Sequence, residues 1–431
     1  MQASKEWRPR IWTAVRVLLL GTLVWGTLLQ VCAAETQTCD PRAFGAKADG
    51  TTKDTKAIQA AIDACAEKGG GIVQLAGGTF LTAPIVLKSE ITMRIEAGAT
   101  MLGSPDKEDY PERTEFRAPG RQSLIRAENA ANLAIEGGGT IDGNGAAWWT
   151  RAQQVKNTKA AELFIRPRLV VFDHCRHILL EGVTFQNSPM WHIVPYYSQD
   201  VTIRNVKIKA PGDSPNTDGI DPFSSSQVVI DHVLVDVGDD NIAIKSGQPG
   251  SPGPDDPSSG IIITDSTFLH GHGLSIGSEL AGGVHDVKAE RIQFKGTAAG
   301  VRIKSNRDRG NNVGNLEYSD LKMQDVGRAI LITEYYPKIP RDDNARPVTR
   351  LTPHFHDISI SNLNASGGNS AGALAGLPES PLTGIRLKNV HIAAVTGLEI
   401  SNARVLGEKL VVLPKVGPPV SFGQNGKLDS K

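Results

Sequence analysis

The chain has 431 residues, 40% hydrophobic but only 5% aromatic, with 45 glycines. Its 46 Lys and Arg balance 46 Asp and Glu, so there is no global basic field of the kind that holds nucleic acid. Many glycines, few aromatics and short apolar runs fit an extended β architecture better than a helical bundle.

Lys5, Arg8, Arg10 and Arg16 precede an apolar run from Val17 to Val31, followed by Cys32-Ala33-Ala34. This reads as a signal peptide over residues 1–34: the run is about 15 residues, short of the roughly 20 that span a bilayer, and small residues follow it. Without this leader 42 basic and 45 acidic residues remain, a slightly acidic mature chain. Export permits one disulfide among Cys39, Cys65 and Cys175. Cys39 with Cys65 is the expected bridge, tying the start of the mature chain to a helix, and Cys175 is expected as a buried thiol in an apolar strand.

That helix is predicted over Asp54–Lys68, where Ile58, Ala61, Ile62 and Cys65 recur at helical spacing after a candidate cap, Asp54. Gly69-Gly70-Gly71 ends it. It is expected to cover the first coil of a solenoid, whose open end would otherwise be an unpaired sheet edge over an exposed core.

Beyond it, short apolar strands recur at 178–185, 201–208, 228–235, 261–268, 287–294, 316–323, 358–365 and 385–392. Aligning Val183, Val206, Val233, Ser266, Ile292 and Leu321 gives steps of 23, 27, 33, 26 and 29 residues. Irregular steps of this size suit a parallel β-helix, and the fixed leucine pattern of leucine-rich repeats is missing. Solenoids grow by adding coils, so residues 35–415 form a single all-β domain, with 416–431 expected as a Pro- and Gly-rich tail. Segments 103–122, 149–166, 247–259 and 337–353 lack the repeat and are expected as loops walling a groove.

A second column aligns Ile220, Ile242, Leu274 and Val301 at steps of 22, 32 and 27 residues. Two positions earlier stand Asp218, Asp240 and His272; on the far side stand Ala243 with Lys245, Ser275 with Gly277, and Arg302 with Lys304. Strict alternation would turn Asp218 and Asp240 inward with Ile220. A bend at Gly238–Asn241, which Gly and Asn permit, returns them to the side of Arg302 and Lys304. Each motif alone is an ordinary turn or solvated strand face. In register over four consecutive coils, they collect aspartates, a histidine and two cations on one ribbon, and crowded carboxylates share protons and can do acid and base chemistry.

The set Asn216-Thr217-Asp218, Gly238-Asp239-Asp240, Gly271-His272-Gly273 and Arg302-Ile303-Lys304, in this order, resembles glycoside hydrolase family 28, the polygalacturonases and related pectin hydrolases. Phe44-Gly45-Ala46, Gly139-Thr140-Ile141-Asp142-Gly143 and Asn187-Ser188-Pro189 are also similar to segments of that family. The resemblance implies a right-handed parallel β-helix with an open cleft, inverting hydrolysis of α-1,4-linked galacturonate, and no metal or other cofactor. Asp239 would be the general acid, Asp218 and Asp240 would activate the attacking water, and His272 would position the acid or influence its protonation. A third nearby carboxylate would raise the pKa of the acid and keep it protonated.

Arg302 and Lys304 match the family's substrate-binding pair, suited to one carboxylate per sugar. Tyr336 resembles its tyrosine beside the scissile sugar, with Tyr335 as the alternative. A cysteine often found after the paired acids is here Asn241. The partner implied is a pectic polysaccharide, with no nucleic acid, no stable membrane association after leader removal, and a monomeric, secreted or periplasmic enzyme. Alternatives are a hydrolase of rhamnogalacturonan or xylogalacturonan, a calcium-dependent pectate lyase of the same fold, or a non-catalytic carbohydrate-binding solenoid.

Overall fold

The computed structural model describes residues 37–158 and 164–430. The expected leader lies outside them. The described chain winds into a parallel β-helix in which every strand pairing is parallel except one hairpin, Glu112–Glu115 with Ala118–Arg121.

The sequence columns are real stacks. Ile178, Val201, Val228, Ile261, Val287, Leu316 and Ile358 pair in register from coil to coil. Ile220, Ile242, Leu274 and Val301 do the same on a second face. All these side chains are buried in one continuous core. Full burial of an aliphatic side chain is worth about 1.5–3 kcal/mol, and stacking identical positions lets each coil bury its neighbour's apolar surface. The aligned Val183, Val206, Val233, Ser266 and Ile292 sit at corners between paired strands, buried as expected.

The predicted helix is present as Thr55–Glu67, with Ala57, Ile58, Ala61, Ile62 and Cys65 packed on the first coil. Asp54 stands at its N-cap position but makes no cap bond. Its carboxylate instead accepts from the Lys47 and Ala48 backbone N–H groups at 2.7 and 2.9 Å, pinning the preceding loop. Cys39 is bonded to Cys65, and Cys175 is a free, buried thiol whose titration burial pushes up to about 11. A loop closed across 26 residues is worth about 3 kcal/mol of chain entropy. Cys65→Ser is therefore expected to lower the free energy of unfolding by that amount in denaturant titrations. Equal midpoints for the two proteins would contradict it.

Three expectations need correction. Ala146–Thr158 is a second α-helix where a loop was expected. Apart from Trp148 and Ala152 its described side chains are largely exposed, so no apolar period marked it in the sequence. The last strands run unbroken through the corners as Ile358–Ala375, Leu382–Ser401 and Ala403–Phe422, the first pairing with both Asn312–Gln324 and Arg328–Thr333, and the first two are longer than the apolar runs that announced them. Finally, 416–431 is not a tail after the last coil. Ala403–Phe422 carries Pro418 and Pro419, and Lys427–Ser430 pairs with Arg404–Gly407. Proline is tolerated there because an edge strand need not donate every N–H.

Candidate active site

Between Val237 and Ile242 the chain bends, and the next strand begins only at Ile242. The bend breaks alternation, so Asp240 faces the same side as Ser275, Arg302 and Lys304. Its Oδ1 accepts from the Arg302 guanidinium at 2.7 Å and the Ser275 hydroxyl at 2.8 Å, and its Oδ2 from Lys304 Nζ at 2.7 Å. Asn241 points the other way and locks the bend: its amide donates to the Val235 and His270 carbonyls, and its oxygen accepts from the Gly273 N–H. The departure from cysteine at this position is thus filled by a fully bonded amide.

His272 stands between two glycines for a steric reason. Gly271 and Gly273 both have left-handed φ, and a Cβ would meet the Asp239 carbonyl at 2.5 Å and the Ala299 carbonyl at 2.0 Å. The tight turn brings His272 Nδ1 within 2.9 Å of Asp239 Oδ1. Asn216 spans the first two coils, accepting from Arg166 at 2.8 Å and donating weakly to Asp239 Oδ2 at 3.5 Å. Thr217 accepts from the Gly238 N–H, fixing the two motifs against one another.

Electrostatically the acids differ. Asp240 is buried, but Lys304 and Arg302 hold it ionised, far below the ordinary carboxylate range. Asp218 is also buried, and its Oδ1 has no hydrogen-bond partner. Burial, then the nearby Asp239 and Asp221 charges, push it well above the ordinary value. Burial acts on Asp239 too, but the His272 bond opposes it and this carboxyl lies below its ordinary value. Asp240 does push Asp239 up, as expected of a neighbouring carboxylate, but the His272 contact outweighs it, and the acid driven toward its neutral form is Asp218.

All seven sequence candidates gather here. Asp218, Asp239, Asp240 and His272 form one end, Arg302 and Lys304 bridge outward, and Lys304 Nζ lies 5.3 Å from the centre of the Tyr336 ring. Tyr335 turns away into a small cluster with Ala375 and Leu377, leaving Tyr336 as the tyrosine at the cleft. Among the acids Asp239 is the most accessible, with 17% of its side chain exposed against 4% and 2% for Asp218 and Asp240.

Sequence reasoning missed Asp221, Glu279 and the central role of Lys245. Lys245 Nζ, buried against the Trp191 ring at 4.9 Å, lies 3.4 Å from Glu279, 3.7 Å from Asp221 and 3.9 Å from Asp218. The available signal was its place in the sequence column that also holds Gly277 and Lys304. Asp221, three residues after Asp218, gave none, because a strand aspartate is ordinarily solvated.

Burial raises Asp221 to about 8, with Lys245 offsetting only part. Between the unfolded value of about 3.9 and that value the folded state holds a proton the unfolded chain lacks. The stability that Asp221 contributes therefore falls as pH rises from about 4 to about 8. Asp221→Asn is expected to make that slope shallower in melts at about pH 5 and pH 8. Identical slopes in variant and parent would refute the assignment.

Comparison with known proteins places this geometry. The sequence pattern described as Glycosyl hydrolases family 28 matches residues 71–407. A probable polygalacturonase of Vitis vinifera is 31% identical over 401 residues, covering 87% of this chain and 80% of its own. An endo-polygalacturonase of Pectobacterium carotovorum subsp. carotovorum is 30% identical over 376 residues, 83% and 89% of the two chains. The solved family 28 exopolygalacturonase of Yersinia enterocolitica superposes with a TM-score of 0.80 at 25% identity, covering 92% of this chain and 79% of its own.

Proposed function

This chain belongs to glycosyl hydrolase family 28 and is a glycoside hydrolase, and from that premise we propose that it is an exported polygalacturonase, cleaving α-1,4-galacturonosyl linkages of pectin with inversion. The observation that carries the reading is Asp239: partly exposed, bonded to His272, and flanked by one carboxyl that burial pushes toward its neutral form and one held ionised by two cations.

The chemistry follows from moving one proton. In this account it sits at rest on Asp218, the carboxyl that burial and the neighbouring acids push toward the neutral form. When a galacturonan chain enters, water leaves and the substrate's carboxylates add negative charge, both of which favour the neutral form of Asp239. The proton passes to Asp239 and leaves Asp218 ionised and strongly basic. Asp239 then protonates the glycosidic oxygen as its bond to the anomeric carbon breaks. A water attacks that carbon from the opposite face, oriented by Asp240, and gives its proton to Asp218. The resting distribution is restored.

Arg302 and Lys304 neutralise Asp240 and present positive charge to the sugar carboxylate. A guanidinium carries five donors, so Arg302 can hold Asp240 through Nη1 and still grip substrate. The same pairing argues against a calcium lyase. Asp239, Asp240 and His272 lie close enough to share an ion. Both Asp240 oxygens, however, already accept from cations at 2.7 Å, which would repel a divalent metal. Export is supported by the leader-like residues 1–34 and by the Cys39–Cys65 bridge, which belongs to an oxidising compartment.

Incubation with polygalacturonate tests the reading. New reducing ends without ultraviolet-absorbing product, undiminished by a chelator, are expected. Absorbing, unsaturated product that disappears with chelator would overturn it in favour of elimination.

A further inference from the structure

The sheet that carries the acids changes character along its length. From Lys245 through Ser275, Arg302, Lys304 and Thr333, the side chains facing away from the solenoid interior are mostly polar. On the preceding coils the same face presents Val171, Val194, Tyr196 and Phe223, which are buried although they stand outside the main core. An outward apolar face is stable in water only if something covers it.

The cover is the antiparallel hairpin inserted at 112–121. Phe116, at its turn, packs on Tyr196 and Phe223 with ring centres 4.4 and 5.7 Å away. Arg168 lies against both Phe116 and Trp191, 4.1 and 4.5 Å from their ring centres. Behind the turn Glu115 is ion-paired with Arg126 at 2.7 Å. Arg117 reaches across to Asp255 at 2.5 Å and to the Tyr197 hydroxyl at 3.1 Å. Asp255 belongs to the segment that follows the paired aspartates, so two insertions clasp one another over this end of the sheet.

We propose that this clasped hairpin is a fixed stop at one end of the cleft, so that the enzyme acts on chain ends and releases a single sugar at each cleavage. The proposal rests on the polygalacturonase reading and adds its mode of attack. Trp191, the first residue of the wall, belongs to the coil immediately before that of Asp218. Coils stack at about 4.8 Å, which leaves room for about one sugar ring between the acids and the wall. On the opposite side the cleft continues into a depression of about 500 Å3 lined by Arg302, Lys304, Arg328, Tyr336 and Lys338. The remaining polymer, with a carboxylate on every sugar, can run out along these cations.

Brief digestion of polygalacturonate followed by chromatographic sizing tests this. The expected product at the earliest times is galacturonate monomer alone, with viscosity falling slowly relative to new reducing ends. Replacing residues 112–121 by a short Gly-Ser turn is expected to change the product to a ladder of oligomers. Arg117→Ala, at a half-exposed position, is the milder variant should the deletion not fold, and is expected to let dimer and longer products appear. A ladder from the unaltered enzyme would overturn the stop while leaving the polygalacturonase reading intact. Monomer alone from both variants, each folded by its melting transition, would also overturn it. No hydrolysis of the polymer at all would remove the underlying reading and the stop with it.

Discussion

Asp239→Asn is expected to lower kcat on polygalacturonate at least about 10²-fold, the lower end of what a positioned general acid supplies, while binding of substrate persists. The asparagine keeps the size and one oxygen of the parent side chain, so the bend at Gly238–Asn241 and the His272 contact can survive. What it lacks is a proton that can be given to the leaving oxygen. Asp218 cannot replace it, because in this account it serves the water on the opposite face of the linkage, and its backbone carbonyl is fixed by the buried His192. Retained turnover with normal product would show that another group donates the proton. Loss of binding together with turnover would show that Asp239 serves to hold substrate.

The second large effect concerns stability. Lys304→Met is expected to destabilise the fold by about 3 kcal/mol, because breaking a buried ion pair strands the partner charge. Here that partner is Asp240, with 2% of its side chain exposed and Lys304 Nζ at 2.7 Å. Methionine preserves the packing of the alkyl stem, so the loss belongs to the charge. Arg302 and Ser275 still serve the other carboxylate oxygen, which keeps the cost at the low end. Adding Asp240→Asn to Lys304→Met should recover part of the loss, giving clearly non-additive unfolding free energies. Additive values, or an unchanged melting transition in Lys304→Met, would contradict the pairing. The single variant is also expected to raise KM, since in the proposed function the same ammonium meets the sugar carboxylate.

Much of this was legible in the sequence because a solenoid writes its register into its apolar columns. Ile220, Ile242, Leu274 and Val301 could be aligned without coordinates, and the alignment carried Asp218, Asp240, His272 and Arg302 with it. The bend at Gly238 could be inferred from the conflict between alternation and a shared site. Three things could not be read. Helix 146–158 exposes most of its length and so leaves no apolar period. Which carboxyl is pushed toward its neutral form depends on burial and on the His272 contact, both products of coil-to-coil stacking. The hairpin at 112–121 looked like loop, since its short strands Glu-Arg-Thr-Glu and Ala-Pro-Gly-Arg have no alternation, and its one large apolar residue, Phe116, acts across coils distant in sequence.

The account turns on an acid on one face of the linkage and an ionised base with its water on the other. The direct measurement is the configuration of the newly formed anomeric centre, followed by proton magnetic resonance during the first minutes of cleavage, before mutarotation. Inversion from the α linkage to a β product is the predicted result. An α product at first appearance would mean a covalent sugar–enzyme intermediate and would contradict the roles given to Asp218, Asp239 and Asp240.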